Sequence, residues 1–69
     1  MNKYVLGVYV QGKTIFESIV KADEDVQGVV KCMQVIPDEI RDRATRINIS
    51  KEIKDNKYKL LFIGNKDDK

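Results

Sequence analysis

The 69-residue chain contains no histidine and one cysteine, Cys32. The commonest general base and metal ligand is therefore missing. A nucleophilic cysteine needs a neighbouring base or a local positive field to form its thiolate. The order of residues assigns neither to Cys32, which reads as a buried structural thiol. Carboxylates adjoin one another at Asp23-Glu24-Asp25 and at Asp38-Glu39. Both groups stand where a helix would start, and acids there cap orphan N–H groups and complement the helix dipole. Asp23-Glu24-Asp25 has oxygens suited to a hard cation but lacks the glycine and the ligand spacing of a calcium loop. Gly7, Gly12, Gly28 and Gly64 are scattered and form no phosphate-cradling loop ahead of a helix. The expectation is a protein that is not an enzyme, with no catalytic, cofactor-binding or metal-binding residues.

Two further groups of residues are suited to binding. From Arg41 to Lys59 there are seven bases against three acids, whereas residues 1–40 carry four bases against six acids. The charge is thus polarised along a chain whose net charge is only +2. Arg41, Arg43, Arg46, Lys51, Lys57 and Lys59 form a strip that could face nucleic-acid phosphates. Lysines on an edge strand also simply discourage sheet-to-sheet pairing, so a solvated edge accounts for the same residues. The second group is Val5, Tyr9 and Phe16, with Val20, whose parity is opposite to that of the expected core residues. Aromatics on an open sheet face can stack unpaired bases, form a protein interface, or be covered by the segment 37–44. The basic-Gly-aromatic-Gly run of RNA-binding sheets is absent. A protein partner on Val5, Tyr9 and Phe16 is therefore preferred to nucleic acid.

The elements that must position these residues follow from periodicity. Tyr4, Leu6, Val8 and Val10 alternate, Gln11-Gly12-Lys13 supplies a turn, and Ile15 and Ile19 continue the pattern, so residues 4–20 read as a β-hairpin. A loop at Gly12-Lys13 pairs Val10 with Ile15; a loop at Gln11-Gly12 pairs Val8 with Ile15. Both put the aliphatic residues on one face. Residues 23–36 read as a helix with Asp23 as N-cap and a buried stripe of Val26, Val29, Val30, Met33 and Ile36. Pro37 ends it. Residues 37–44 are consistent with a further short turn of helix anchored by Ile40. A strand from Arg46 to about Ile53, a polar turn at Lys54-Asp55-Asn56-Lys57, and a strand from Tyr58 to Ile63 complete the order. Leu60-Leu61-Phe62-Ile63 is apolar on both parities, which predicts an inner position in the sheet. The expected fold class is α+β, with ββαββ order and a mostly antiparallel four-stranded sheet carrying one helix on one face.

Length allows one domain, residues 1–64, with a frayed polar tail over residues 65–69. The hydrophobic fraction of 42% suffices for one small core. A chain this short buries only about 60% of its unfolded surface, so dimerisation would be a natural supplement to its stability. One cysteine permits no internal disulfide, and the stretch Tyr4–Val10 is too short to span a membrane. A cytoplasmic protein with no membrane contact is expected. No motif identifies a family. In length and mixed composition the chain is similar to small phage and prophage proteins that bind and inhibit a host factor. The expected function is a small interaction or regulatory module of that kind. A nucleic-acid-binding domain and a structural homodimer are the alternatives.

Overall fold

A computed structural model describes residues 1–65. The elements are β1 (Asn2–Val10), β2 (Lys13–Ala22), α1 (Asp25–Val35), α2 (Asp38–Arg43), β3 (Arg46–Lys54) and β4 (Lys57–Asn65). The four strands form one antiparallel sheet in the order β2-β1-β3-β4, and α1 packs on one face of it. The expected α+β class and antiparallel sheet are as found, and the segment after Pro37 is a second short helix. Of the tail expected over residues 65–69, Asn65 ends β4 and the remainder lies outside the described residues.

The first hairpin turns through Gln11 and Gly12, both at positive φ (49° and 85°). Two left-handed residues make the tight turn whose twist matches that of the flanking strands. Val10 accordingly pairs with Lys13 and Tyr9 with Thr14. The register then shifts at Ile15, so that Val8 faces Phe16, Leu6 faces Ser18 and Tyr4 faces Val20. This one-residue bulge overturns the expected side-chain parity of β2. Phe16 and Val20 pack on the core side, and Ile19, expected in the core, is 60% exposed on the opposite face. Ile15, the extra residue, also packs against the core.

The centre of the protein is Tyr4, Leu6, Val8 and Ile49 from the sheet with Cys32 and Ile36 from the helical layer, all of them buried. The helix meets this face along Gly28 and Cys32, with Val29 and Met33 of the expected stripe packed alongside and Ile36 of that stripe buried, while its other two members turn outward. Val26 is 74% exposed and Val30 48%. The reason lies at Gly28. A Cβ there would stand 2.6 Å from the Tyr4 ring, so only glycine lets the helix backbone come down onto the aromatic. That approach turns Val26 and Val30 sideways. The helix starts after Glu24, not Asp23, with no side-chain cap, and its first backbone bond runs from the Gly28 N–H to the Glu24 carbonyl at 2.9 Å.

Thr45 ties the two hairpins together. Its N–H donates to the Tyr9 carbonyl at 2.8 Å, and its Oγ1 accepts from the Gln11 N–H at 2.9 Å. The first turn is thereby fastened to the start of β3.

Candidate interaction surface

The surface is built from β4 upward. β4 is an edge strand, contrary to the inner position expected from Leu60-Leu61-Phe62-Ile63. Opposite Ile49 stands Phe62, and opposite Asn48 stands Ile63. A register shift between Ile49 and Ser50 inserts Leu61 on the core side, where it packs against the core cluster, and Ser50 then faces Leu60. Leu61 and Phe62 thus lie on the helix side of the sheet, and Leu60 and Ile63 on the other. None of the nine residues of β4 is buried. Leu60 remains 50% and Ile63 44% exposed.

On the helix side, α1 lies chiefly over β2 and β1. Its sideways-turned valines face the uncovered part of β4. Val26, Val29, Val30, Leu61 and Phe62 line an open groove of about 340 Å³ with Asp25 at one end. A second depression continues past Phe62 to Met33, Ile47 and Gly64, bounded by Arg41 and Arg46. The Phe62 ring lies close over Gly64, where a Cβ would meet it at 2.9 Å.

Tyr4, Asp25 and Lys51 anchor the end of the groove near Asp25. The Tyr4 hydroxyl donates to Asp25 Oδ1 at 2.8 Å, and Lys51 Nζ lies 3.1 Å from the same oxygen. The hydrogen bond from Tyr4, followed by that from Lys51, holds the Asp25 carboxyl below the usual aspartate range. Burial in turn pushes the Tyr4 hydroxyl above the usual tyrosine value. The first turn of α1 is thereby bound to both central strands. Cys32 is buried as expected, and desolvation raises its thiol pKa. Among the described residues no three side chains of metal-ligating type come together.

The residues singled out from sequence are distributed as follows. Val5 and Tyr9 share the outer sheet face, but the bulge at Ile15 puts Phe16 on the core side, so the expected trio is not one surface. Tyr9 is half-buried with its side chain laid across Gly7, where a Cβ would meet the hydroxyl at 2.8 Å and the ring at 3.2 Å. Down the middle of the outer face, β3 presents Arg46, Asn48, Ser50 and Glu52. This polar column separates Val5 and Ile19 from Leu60 and Ile63. Glu52 also pairs with Lys3 at 3.3 Å.

The basic strip is divided as well. Lys51 and Lys59 face each other across β3 and β4, while Arg46 lies at the far end of β3, about 17 Å away along the strand. Arg41 on α2 bonds Asp38 at 3.1 Å and the Ile36 carbonyl at 3.3 Å, and Arg46 bonds Asn48. Arg43 lies on α2, and Lys57 opens β4 opposite Lys54. The expected strip is therefore two separate groups flanking apolar surface.

Sequence reasoning missed Val26, Val30, Leu60, Phe62 and Ile63 as surface residues. The signal is the double-parity apolar run of β4, a pattern that an inner strand shares. Compared with models of protein families, with characterised proteins and with solved structures, the chain matches none of them. No helix among the described residues is long and apolar enough to cross a membrane.

Proposed function

We propose that this protein is a non-enzymatic protein-interaction module that acts by occupying a surface of another polypeptide, with the β4 edge and the α1–β4 groove as its docking surface. One observation carries this reading: β4 has the composition of an inner strand and the position of an edge strand. Strand edges left to solvent are normally short, charged or covered, because an open apolar edge templates further pairing. Contiguous exposed apolar surface with a polar rim marks sites of association. Here Leu60 and Ile63 on one face, and Phe62 with Val26 and Val30 on the other, are set between Lys57 and Lys59 at one end and Arg41 and Arg46 at the other.

Site-specific photocrosslinking in cells that express the protein tests the reading. A photoreactive residue at position 63 or 26 is expected to give discrete adducts with polypeptide, and one at Glu17 on the opposite edge none. Adducts from position 17 alone, or adducts dispersed by nuclease, would overturn it.

A further inference from the structure

We infer that the α1–β4 groove seats an amphipathic α-helix of a partner polypeptide, lying antiparallel to α1 over β3 and β4, with carboxylates at the end that meets Lys51 and Lys59. The inference rests on the reading of this groove as a docking surface and names the shape and charge of its occupant.

The sheet has room for two helices on this face. Four strands spaced by about 4.8 Å set the outer two about 14 Å apart, and packed helices stand about 8–10 Å from one another. α1 takes the place over β2 and β1, so a second place of similar width is left over β3 and β4. Ile47, Leu61 and Phe62 floor it, and Val26 and Val30 wall it on the α1 side. From Lys59 to Gly64 along β4 is about 16 Å, the length of a helix of about 11 residues. The bulge at Leu61 breaks the regularity of β4 as a template for a long ladder. The apolar floor beside it runs on from Leu61 across Phe62 to Ile47, and a helix uses the floor alone.

Charge sets the polarity of the occupant. Lys51 and Lys59 face each other across β3 and β4, on the side of the sheet where Tyr4 meets α1. Glu52, the acid of β3, lies on the opposite face with Lys3, and the described part of β4 carries no acid. The one carboxylate lining the groove, Asp25, already accepts from the Tyr4 hydroxyl and pairs with Lys51 at 3.1 Å. Lys59 has no ion-pair partner among the described residues. This end of the groove therefore holds a cation in excess, and carboxylates on an incoming helix would pair with it. α1 begins at this end. A helix antiparallel to α1 brings the negative end of its dipole to the two lysines, whereas a parallel one would set its positive end against them.

The probe is a synthetic peptide of about 14 residues with leucines at i, i+3, i+4 and i+7 and glutamates in its last turn, beside a twin with lysines in place of the glutamates. Binding to the full chain is read by fluorescence anisotropy, and peptide helicity by circular dichroism. The glutamate peptide is expected to gain helix on binding and to bind about fivefold more tightly than its twin. Lys59→Glu, at an exposed position, is expected to reverse that preference, and the reversal is independent of any difference in helicity between the peptides. The double variant Val26→Asp, Val30→Asp changes two side chains already exposed, so its own circular dichroism should match the parent. It is expected to bind both peptides at least about tenfold more weakly. Ile19→Lys, on the outer face, is expected to bind as the parent does. The inference is overturned if neither peptide binds, if the bound peptide is extended, or if the preference is unchanged in Lys59→Glu. It is equally overturned if affinity survives the valine variant or falls as far in Ile19→Lys. If it is overturned while position 26 still crosslinks polypeptide in cells, the docking reading stands with an occupant of another kind; no adduct from positions 26 and 63 sinks the docking reading itself.

Discussion

Along β2, the exposed residues are Lys13, Thr14, Glu17, Ile19 and Lys21, so one apolar side chain in five faces solvent there. Along β4, the exposed set includes Tyr58, Leu60, Phe62 and Ile63. Both strands are edges of the same sheet, and both carry a register shift that places an extra aliphatic residue, Ile15 or Leu61, against the core. They differ in what lies above them. α1 packs mainly on the β2–β1 half and seals Tyr4, Leu6 and Val8 beneath Cys32 and Ile36. An 11-residue helix is about 16 Å long and cannot roof four strands. The β1–β2–α1 half is therefore a finished core. In the β4 half, the chain has spent apolar residues where its own fold returns little burial.

That contrast predicts a large asymmetry in stability. Leu6→Ala removes a fully buried side chain between two strands and the helix, and should cost about 2–5 kcal/mol. Leu60→Ala should cost less than about 1 kcal/mol, because half of that side chain is already in water. Urea unfolding of both variants checks the pair. Equal losses would mean that the β4 half is as integral to the monomer as the β1–β2 half.

Gly28→Ala probes the seam on the sealed side. Alanine in place of glycine would favour an isolated helix by about 1 kcal/mol. Here the new Cβ would fall 2.6 Å from the ring of Tyr4, which is fully buried. Overpacking of this kind typically costs about 1–3 kcal/mol and should outweigh the gain. A net destabilisation in urea unfolding is expected. A stabilised variant would show that the helix can lift from the sheet without penalty.

The third expectation concerns pH. The Asp25 carboxyl is held below its ordinary value by Tyr4 and Lys51. A depressed folded-state pKa means that the stabilisation is fully present above the unfolded value near 3.8 and is lost as pH falls from there through the folded value. Asp25→Asn should remove that acid-sensitive component, so its unfolding midpoint should fall less steeply than that of the parent below about pH 4. An unchanged slope would mean that the Tyr4–Asp25–Lys51 contact does not persist in solution.

Much of the fold was legible in the sequence because most of it rests on local pattern. Alternation marks β1 and β3 and part of β2, an apolar run on both parities marks β4, Pro37 ends the first helix, and Gly12 and Asp55-Asn56 are the residue types that turns use. The misplacements have physical causes that alternation does not encode. A single bulge at Ile15 exchanged the faces of Phe16 and Ile19. The close approach at Gly28 rotated the helix about its axis, so a stripe that looks buried by spacing was partly turned to solvent. The run 60–63 was recognised as apolar on both sides, but strand order depends on long-range pairing, and position in the sheet was inferred from a pattern that β4 carries without the neighbour it implies. The candidate surface was missed for the same reason: it consists of residues whose composition agrees with burial and whose placement does not.

The smallest expected effect lies at the turns, where the two hairpins again differ. The β3–β4 turn puts Asn56 at φ 65°, a residue that tolerates the left-handed region. The β1–β2 turn puts Gln11 there at φ 49°, ahead of Gly12. Glutamine has none of the local hydrogen bonding that eases asparagine into this conformation, and a two-residue turn with both φ positive prefers Asn-Gly. Gln11→Asn should therefore stabilise the protein by a few tenths to about 1 kcal/mol. The bond from the residue 11 N–H to Thr45 Oγ1 is made by the backbone and survives the exchange, so the gain is not offset by loss of the clip between the hairpins. Asn56→Gln, the reciprocal change in the β4 half, should cost a similar amount. Thermal unfolding of the two variants against the parent measures both. If Gln11→Asn proved neutral while Asn56→Gln was costly, the strain at Gln11 would already be relieved by the Thr45 clip, and the first hairpin would be the better fastened of the two at its turn as well as in its core.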